Sequence, residues 1–208
     1  AKLKNYCRKD VLQFRNAHYI PSRVVISSVA NITFNKAIES AEKYFGGVAG
    51  DPSAFNRQPF LGYNAAKVSK KYSRHQAHVV IGNIACHAHD KRRFSMALLN
   101  NILGGPSMNS RLNMALREKH GIAYNLESNY QPFSDTGLFS IYCGTDEILM
   151  EKAIDLIHKE LKKFRTVALS TTGLHTAQTQ LKGQLALSLE SHQNEMLAIG
   201  KNLLVYGK

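Results

Sequence analysis

The feature of this sequence that most constrains its fold is a pair of strand-like segments separated by a short turn. Residues 123–130 and 137–143 are predicted as strands, and Pro132 with Ser134 and Asp135 supplies turn-forming residues between them. Strands joined by so short a connection pair in an antiparallel manner, because parallel pairing needs a crossover of about a dozen residues. Together with the helical segments around it, this hairpin predicts an α+β fold with a largely antiparallel sheet.

The remaining elements follow from periodicity and from breaker residues. Thr33 is a suitable N-cap for a helix that ends at Gly46-Gly47, and Gly121 is well placed to end a later helix. The spacing of apolar residues predicts helices over residues 9–19, 34–45, 90–103, 107–119, 147–164 and 172–206, and strands over residues 22–29 and 77–84. Between residues 51 and 74, Gly, Pro and Lys residues interrupt any helical or strand-like spacing of apolar residues. This predicts an extended connection.

Length and composition exclude several classes of protein. The chain has 208 residues, of which 44% are apolar and 20% are charged, so it can bury a core and is not a disordered tail. It contains no apolar run near the roughly 18 residues that cross a bilayer, and no apolar segment follows the first lysines as in a signal peptide. We therefore expect no membrane partner, and the compartment stays open.

The positive charge is concentrated in the first half of the chain. Residues 1–100 contain 16 Lys and Arg against 5 Asp and Glu, whereas residues 101–208 contain 11 against 10. Such a bias favours an acidic partner surface, a nucleic acid or an acidic neighbouring domain, and a solvated basic face explains it equally well. A nucleic-acid-binding module is therefore one alternative function, although the sequence contains no recognisable motif of that class.

A group of histidines and one cysteine suggests a metal site at first sight. His75, His78, Cys86, His87 and His89 lie within 15 residues. The alternation of side chains along a strand places His75 and His78 on opposite faces, however, and the two remaining imidazoles do not complete a zinc site. The three cysteines of the chain are also too far apart for a Cys-x-x-Cys clamp. We therefore predict no metal site and no cofactor in this chain.

Arg117 and Tyr124 form the second candidate site. If Leu112, Ala115 and Leu116 are the buried stripe of their helix, Arg117 projects to the opposite side. Gly121 then turns the chain so that Tyr124 begins the next strand near the helix end. A guanidinium and a phenol can both donate to a carbonyl oxygen, as stabilisation of a tetrahedral oxyanion requires. A surface arginine and a half-buried strand tyrosine would explain the same residues. Arg111, on the helix flank, is interpreted as structural.

These residues lie within a block that resembles a known family. Residues 103–124, LGGPSMNSRLNMALREKHGIAY, are similar to the signature of the pitrilysin/insulinase family of zinc peptidases, which includes the mitochondrial processing peptidases. The likeness continues through residues 76–82, 130–146 and 176–207, and residues 8–47 resemble the end of the family's first domain. Pro106 and Ser107 depart from the pattern, because relatives often carry more glycine there.

The resemblance implies a division of labour between two related domains. The first domain of such a peptidase carries a His-x-x-Glu-His zinc motif, and the second supplies an arginine and a tyrosine seven residues apart, which contact the peptide backbone and the oxyanion. Arg117 and Tyr124 match that spacing, and this sequence contains no His-x-x-Glu-His. The resemblance therefore implies a carboxy-terminal domain of a zinc endopeptidase, with zinc held in an amino-terminal domain or a partner subunit and with no hydrolysis by this chain alone.

The same resemblance gives expected domain boundaries. Residues 1–50 correspond to the helix–strand–helix unit that closes the first domain, residues 51–74 to the connection, and residues 75–208 to a second domain without its own closing unit. We expect residues 9–47 to fill that vacant position, within one chain or swapped between two copies, with residues 22–29 paired to a strand of residues 75–145. A non-catalytic structural subunit of a peptidase or a respiratory assembly is the remaining alternative function.

Overall fold

The computed structural model describes residues 2–48, 58–72 and 76–207. Contacts divide the chain into two units, each described separately below. The terminal unit comprises Ala1–Gln58 with Leu185–Lys208, and the sheet unit comprises Pro59–Gln184. This division differs from the boundaries expected from the family resemblance, 1–50, 51–74 and 75–208, which stay a prediction.

The sheet unit is built on three antiparallel strands. They are β1 (Gln76–Ala85), β2 (Asn125–Pro132) and β3 (Gly137–Asp146), in the order β1-β3-β2. β2 and β3 form the predicted hairpin, whose turn is closed by a hydrogen bond from the Phe133 amide to the Thr136 carbonyl (2.8 Å). In the register of the sheet, Cys143 lies opposite both Val79 and Leu126. The predicted antiparallel α+β fold is confirmed.

One face of this sheet carries the hydrophobic core. Val79 on β1 and Leu126 on β2 lie between exposed residues, and both face the same side of the sheet as the buried Cys143 and Ile141 of β3. Helix α3 (Arg93–Gly104) packs on β2, and helix α4 (Met150–Thr166), preceded by a 3₁₀ turn at Glu147–Leu149, packs on β1 and β3. The helices add the buried residues Leu103, Leu112, Leu116, Ala153 and Ile157 to this core. Burial of each large side chain stabilises the fold by about 1.5–3 kcal/mol.

Two predicted helices of this unit begin later than expected. Helix α3 begins at Arg93 because Asp90 forms a turn before it: its Oδ1 atom accepts from the Arg92 amide (2.8 Å) and its carbonyl accepts from the Arg93 amide (3.1 Å). The next helix begins at residue 111, after a turn closed by the Ser110 amide and the Ser107 carbonyl (3.1 Å). Its last part is a π-helix, Asn113–Glu118, which the sequence pattern did not predict.

A glycine allows α3 to approach the sheet closely. A Cβ atom at Gly104 would lie 2.8 Å from the Ser128 amide nitrogen and 2.8 Å from its Oγ atom. Ser128 in turn donates from its hydroxyl to the Asn100 carbonyl of α3 (3.0 Å). A larger residue at position 104 would therefore push the helix away from β2.

The terminal unit consists of helices around an irregular segment. Its helices are α1 (Arg8–His18), α2 (Phe34–Phe45) and α6 (His192–Tyr206), with 3₁₀ turns at Lys2–Asn5 and Pro21–Arg23. The predicted helices 9–19 and 34–45 are confirmed, and Thr33 caps α2 by accepting from the Lys36 amide (3.4 Å). The single helix predicted over residues 172–206 is wrong, because α5 (Thr171–Leu189) ends before Ser191, which caps α6.

The strand predicted over residues 22–29 is also wrong. Pro21–Arg23 form a 3₁₀ turn, and residues 24–29 follow without strand pairing. The Ser27 hydroxyl instead donates to the Met196 carbonyl of α6 (2.9 Å). β-Branched residues become a strand only beside another strand, and among the described residues the sheet holds only β1, β2 and β3. The expected pairing with residues 75–145 is therefore not met within this chain, and the swapped form stays a prediction.

The described part of the predicted connection, residues 58–72, contains neither helix nor strand. Residues 51–57, 73 and 74 of that prediction lie outside the described residues. The Phe60 amide donates to Asp135 Oδ2 (2.9 Å), and Lys71 lies 3.6 Å from a carboxylate oxygen of Glu147. These contacts tie the segment to the ends of β3. No helix in the described ranges is both long and apolar enough to cross a membrane.

Candidate functional site

Arg117 lies in the π-helical segment of the sheet unit. Leu112 and Leu116 on this helix are fully buried, whereas Arg117 is exposed, as the spacing of the apolar residues predicted. The π-geometry is visible in the hydrogen bond from the Lys119 amide to the Met114 carbonyl five residues earlier (3.1 Å). π-Turns of this kind are rare and are frequent at functional sites. Within the part of the chain that the structure describes, the Arg117 guanidinium has no hydrogen-bond or ion-pair partner.

Gly121 ends this helix and turns the chain toward the sheet. Its φ of 62° lies in the left-handed region. This region favours glycine, because the Cβ atom of any other residue would come too close to a backbone carbonyl oxygen. Its amide donates to the Arg117 carbonyl (2.9 Å), and the Ile122 amide donates to the Leu116 carbonyl (2.9 Å). The bend therefore fixes the backbone between Arg117 and Tyr124, and the predicted helix end is confirmed.

Tyr124 is held at the end of β3, immediately before β2 begins. Its amide donates to the Gly144 carbonyl (2.9 Å), and its phenol hydroxyl donates to Asp146 Oδ2 (2.9 Å). The hydrogen bond to Asp146, the negative charge of that carboxylate and partial burial together raise the pKa of Tyr124 above its ordinary value. The side chain is nevertheless 60% exposed, so its ring is accessible to a ligand.

Within the described residues, the arrangement thus combines the Arg117 guanidinium, which has no partner there, with the accessible Tyr124 phenol, and the hydrogen-bonded bend at Gly121 connects them. Both groups can donate hydrogen bonds, and the Asp146 carboxylate already accepts one from the phenol. Such a pair can bind a carbonyl oxygen or a carboxylate, whereas bond cleavage would require further groups. Sequence reasoning identified both residues but not Asp146, which lies 22 residues after Tyr124 and reaches it only because β2 and β3 pair, with Asn125 opposite Gly144.

The group of histidines does not form a metal site among the described residues. His78 Nδ1 lies 2.7 Å from the Tyr142 hydroxyl, and His87 Nδ1 accepts from the His89 amide (3.2 Å). Across residues 2–48, 58–72 and 76–207, no three His, Cys, Asp or Glu side chains are arranged to hold a metal ion. His75 lies outside the described residues.

The loop before the π-helical segment is fixed by α5. The Ser107 hydroxyl accepts from Gln180 Nε2 (2.5 Å) and from Gln184 Nε2 (2.9 Å). This is the position at which the sequence departs from the glycine-rich pattern of the family. Since its only hydroxyl oxygen is already bonded twice, Ser107 is engaged in holding the loop.

A cationic cleft of about 910 Å³ lies between the π-helical segment and α4. Arg111 lines it with its guanidinium 4.3 Å from the centre of the Phe164 ring, which agrees with a structural role for this residue. Glu160 is buried there and paired with Lys163 (2.5 Å). Lys119 at the end of the π-helical segment and Lys163 in the last turn of α4 offset the negative end of their helix dipoles. The cations around the cleft are Arg111, Lys119, Lys159, Lys162 and Lys163.

Comparison with known proteins places this fold in a family. The family described as the peptidase M16 inactive domain matches residues 6–181. The chain belongs to the peptidase M16 inactive domain family. An uncharacterized zinc protease of Bacillus subtilis, YmxG, is 33% identical over 208 residues, which cover 99% of this chain and 50% of the relative. The chain spans about half the length of the curated relatives it matches.

Solved structures confirm the fold of this M16 domain. A peptidase M16 inactive domain from Pseudomonas fluorescens has a TM-score of 0.73 at 20% identity, over 85% of this chain and 42% of that one. A chain in a structure of complex III2 from Candida albicans has a TM-score of 0.67 at 17% identity, over 86% of this chain and 44% of that one. At these identities the likeness concerns the fold alone.

Proposed function

We propose that this M16 domain supplies Arg117 and Tyr124 to a zinc endopeptidase whose metal is held by an amino-terminal domain or a partner subunit. The observation that carries the proposal is the pair itself. An exposed guanidinium without a described partner and an accessible phenol are seven residues apart, as in the family that the sequence resembles. The name of the Bacillus subtilis relative, a zinc protease, supports the reaction class.

The proposed role follows from the chemistry of the two side chains. An extended peptide presents backbone carbonyl oxygens, and the oxygen of the scissile carbonyl gains negative charge during attack by water. Arg117 offers several donors in a fixed plane and keeps its charge at every physiological pH. Tyr124 offers one donor. The two residues would therefore bind the peptide backbone and stabilise the oxyanion.

The described residues of this chain do not fit a catalytic zinc site. Three ligands are needed in such a site, and the described histidines, cysteines and carboxylates form no such group. We therefore assign no metal step to this chain, and we expect the isolated chain to show no peptide turnover in the presence of added zinc.

The experiment is substitution of both residues in the complete peptidase in which we place this chain. We expect Arg117→Ala and Tyr124→Phe each to lower kcat/KM for a quenched-fluorescent peptide by about 10²–10³, the effect of losing one oxyanion donor. Arg165→Ala and Tyr72→Phe are matched controls, because both side chains are exposed and lie outside the site. Unchanged kcat/KM in Arg117→Ala and Tyr124→Phe would refute the proposal.

A non-catalytic partner subunit is the second candidate function. The likeness to a chain of the complex III2 structure favours it, since that chain has the same fold within a larger assembly. The two candidates differ in one measurable respect. If the domain has only a structural role, the Arg117→Ala and Tyr124→Phe variants keep both assembly and peptide cleavage, whereas substitutions in the hydrophobic core lower assembly.

A further inference from the structure

The hydroxyl of Tyr124 is already engaged in the structure. A phenol has a single proton to donate, and this one points to Asp146 Oδ2 at 2.9 Å. A carbonyl oxygen can therefore not receive a hydrogen bond from Tyr124 while this contact persists. Hydrogen bonds to an ionised acceptor are roughly twice as strong as those between neutral groups, so the contact is favoured over donation to an ordinary peptide carbonyl.

Asp146 is not needed to hold the segment that carries Tyr124. The Tyr124 amide is bonded to the Gly144 carbonyl (2.9 Å), and the buried Thr145 hydroxyl donates to the Ile122 carbonyl (2.5 Å). With Gly121 and these two bonds, the backbone from the bend to β2 is fixed independently of the carboxylate. Among the described residues, the Asp146 side chain thus bonds only the phenol group.

We propose that Asp146 is a positioning residue that withholds the Tyr124 hydroxyl from the substrate in the resting protein. The hydroxyl turns to a substrate carbonyl only when it leaves Asp146, so every productive encounter exchanges one hydrogen bond for another. The inference rests on the proposed function, since it concerns the same Tyr124. It adds a residue, from the end of β3, that sets how readily the phenol reaches a peptide.

The contact itself can be tested in the isolated chain. We would label tyrosine ring carbons with ¹³C, assign Tyr124 with the Tyr124→Phe variant and follow its phenol by NMR from neutral to alkaline pH. We expect the pKa of Tyr124 to fall in Asp146→Ala, because the accepting carboxylate is gone. Glu147→Ala is the matched control, since this neighbouring carboxylate is exposed and lies beside Lys71. Identical Tyr124 titrations in wild type and Asp146→Ala would overturn the proposal.

The consequence can be tested in the complete peptidase. We expect Asp146→Ala to raise kcat/KM by about three- to tenfold, the effect of one competing hydrogen bond. Asp146→Asn, which keeps a neutral acceptor, should give a smaller increase. In a Tyr124→Phe background, neither substitution should change kcat/KM. Thermal unfolding of each variant controls for loss of fold. A lower kcat/KM in a folded Asp146→Ala protein would overturn the proposal.

The two hypotheses fail in different ways. If Tyr124→Phe leaves kcat/KM unchanged, the proposed function fails, and the NMR titration still reports whether Asp146 holds the phenol. If Tyr124→Phe lowers kcat/KM but Asp146→Ala does not raise it, the proposed function stands and the inference about Asp146 is refuted.

Discussion

The sheet unit and the terminal unit bury very different amounts of apolar side chain. Every buried hydrophobic residue of the described chain lies in the sheet unit except Ile20. In the terminal unit, Phe34 is 78% exposed and Phe45 is 52% exposed at the two ends of α2. The sheet unit therefore has a core of its own, whereas the terminal unit leaves apolar surface on its helices.

This difference shows what an amphipathic pattern does and does not predict. The apolar spacing of α2 predicted its existence and its ends correctly, because helix formation depends on neighbours three and four residues away. The same spacing predicts an apolar face that is stabilised by burial, but it does not identify the surface against which that face packs. Exposed apolar helices of this kind are typical of interaction surfaces.

The largest expected difference between the two units is in thiol reactivity. Cys7 of the terminal unit is exposed, whereas Cys143 of the sheet unit is buried, and burial raises the pKa of its thiol. We expect a thiol reagent to label Cys143 at least about 10³-fold more slowly than Cys7, because labelling of Cys143 requires opening of the core. Single-cysteine variants separate the two signals. Equal rates would show that the core is not formed.

Truncation in the core should give the next largest difference. Ile157 of α4 is fully buried, and we expect Ile157→Ala to lower the free energy of unfolding by about 2–5 kcal/mol through lost burial and a cavity. Leu203 of α6 is 49% exposed, so Leu203→Ala should cost about 1 kcal/mol or less. Denaturant unfolding monitored by circular dichroism gives both values. A larger loss for Leu203→Ala would mean that the terminal unit is the better packed one.

Prediction from sequence succeeded where local chemistry decides and failed where distant contacts decide. The hairpin, the Thr33 cap and the Gly121 bend were predicted correctly, since each depends on a few consecutive residues. Residues 22–29 were predicted as a strand because of their β-branched side chains, although a strand also needs a neighbouring strand. In the candidate site, Arg117 and Tyr124 were identified from spacing, whereas Asp146 was missed because only strand pairing brings it to Tyr124.

The hydroxyl groups of Thr145 and Ser27 should differ in how much they stabilise the fold, by less than the core truncations above. Thr145 of the sheet unit donates to the Ile122 carbonyl in a buried position, and Ser27 of the terminal unit donates to the Met196 carbonyl in a half-buried one. We expect Thr145→Val to lower the free energy of unfolding by about 1–3 kcal/mol, since it leaves a buried carbonyl unpaired. Ser27→Ala should cost less, because water can replace the hydroxyl. A larger loss of unfolding free energy in Ser27→Ala than in Thr145→Val would contradict this prediction and would show that the Ser27 contact is the one closed to solvent.

The smallest expected effect concerns two carboxylates near helix starts. The Arg92 side chain and then its amide lower the pKa of Asp90 to about 2, whereas the Cys7 amide and then its side chain lower the pKa of Asp10. Folding lowers the pKa of both carboxyl groups. Each carboxylate therefore stabilises the fold slightly at a pH above the ordinary pKa of 3.8, and this stabilisation is lost as the pH falls below that value.

The two units should respond differently to removal of the donor side chain. We expect Arg92→Ala to raise the pKa of Asp90 markedly toward 3.8, since the main donor is a side chain. Cys7→Ala should change the pKa of Asp10 only slightly, because its main donor is a backbone amide that the substitution retains. Carboxyl carbon shifts followed by NMR from strongly acidic to neutral pH give both pKa values. Equal shifts in the two variants would show that the Asp90 carboxylate, like that of Asp10, is held chiefly by its backbone bond.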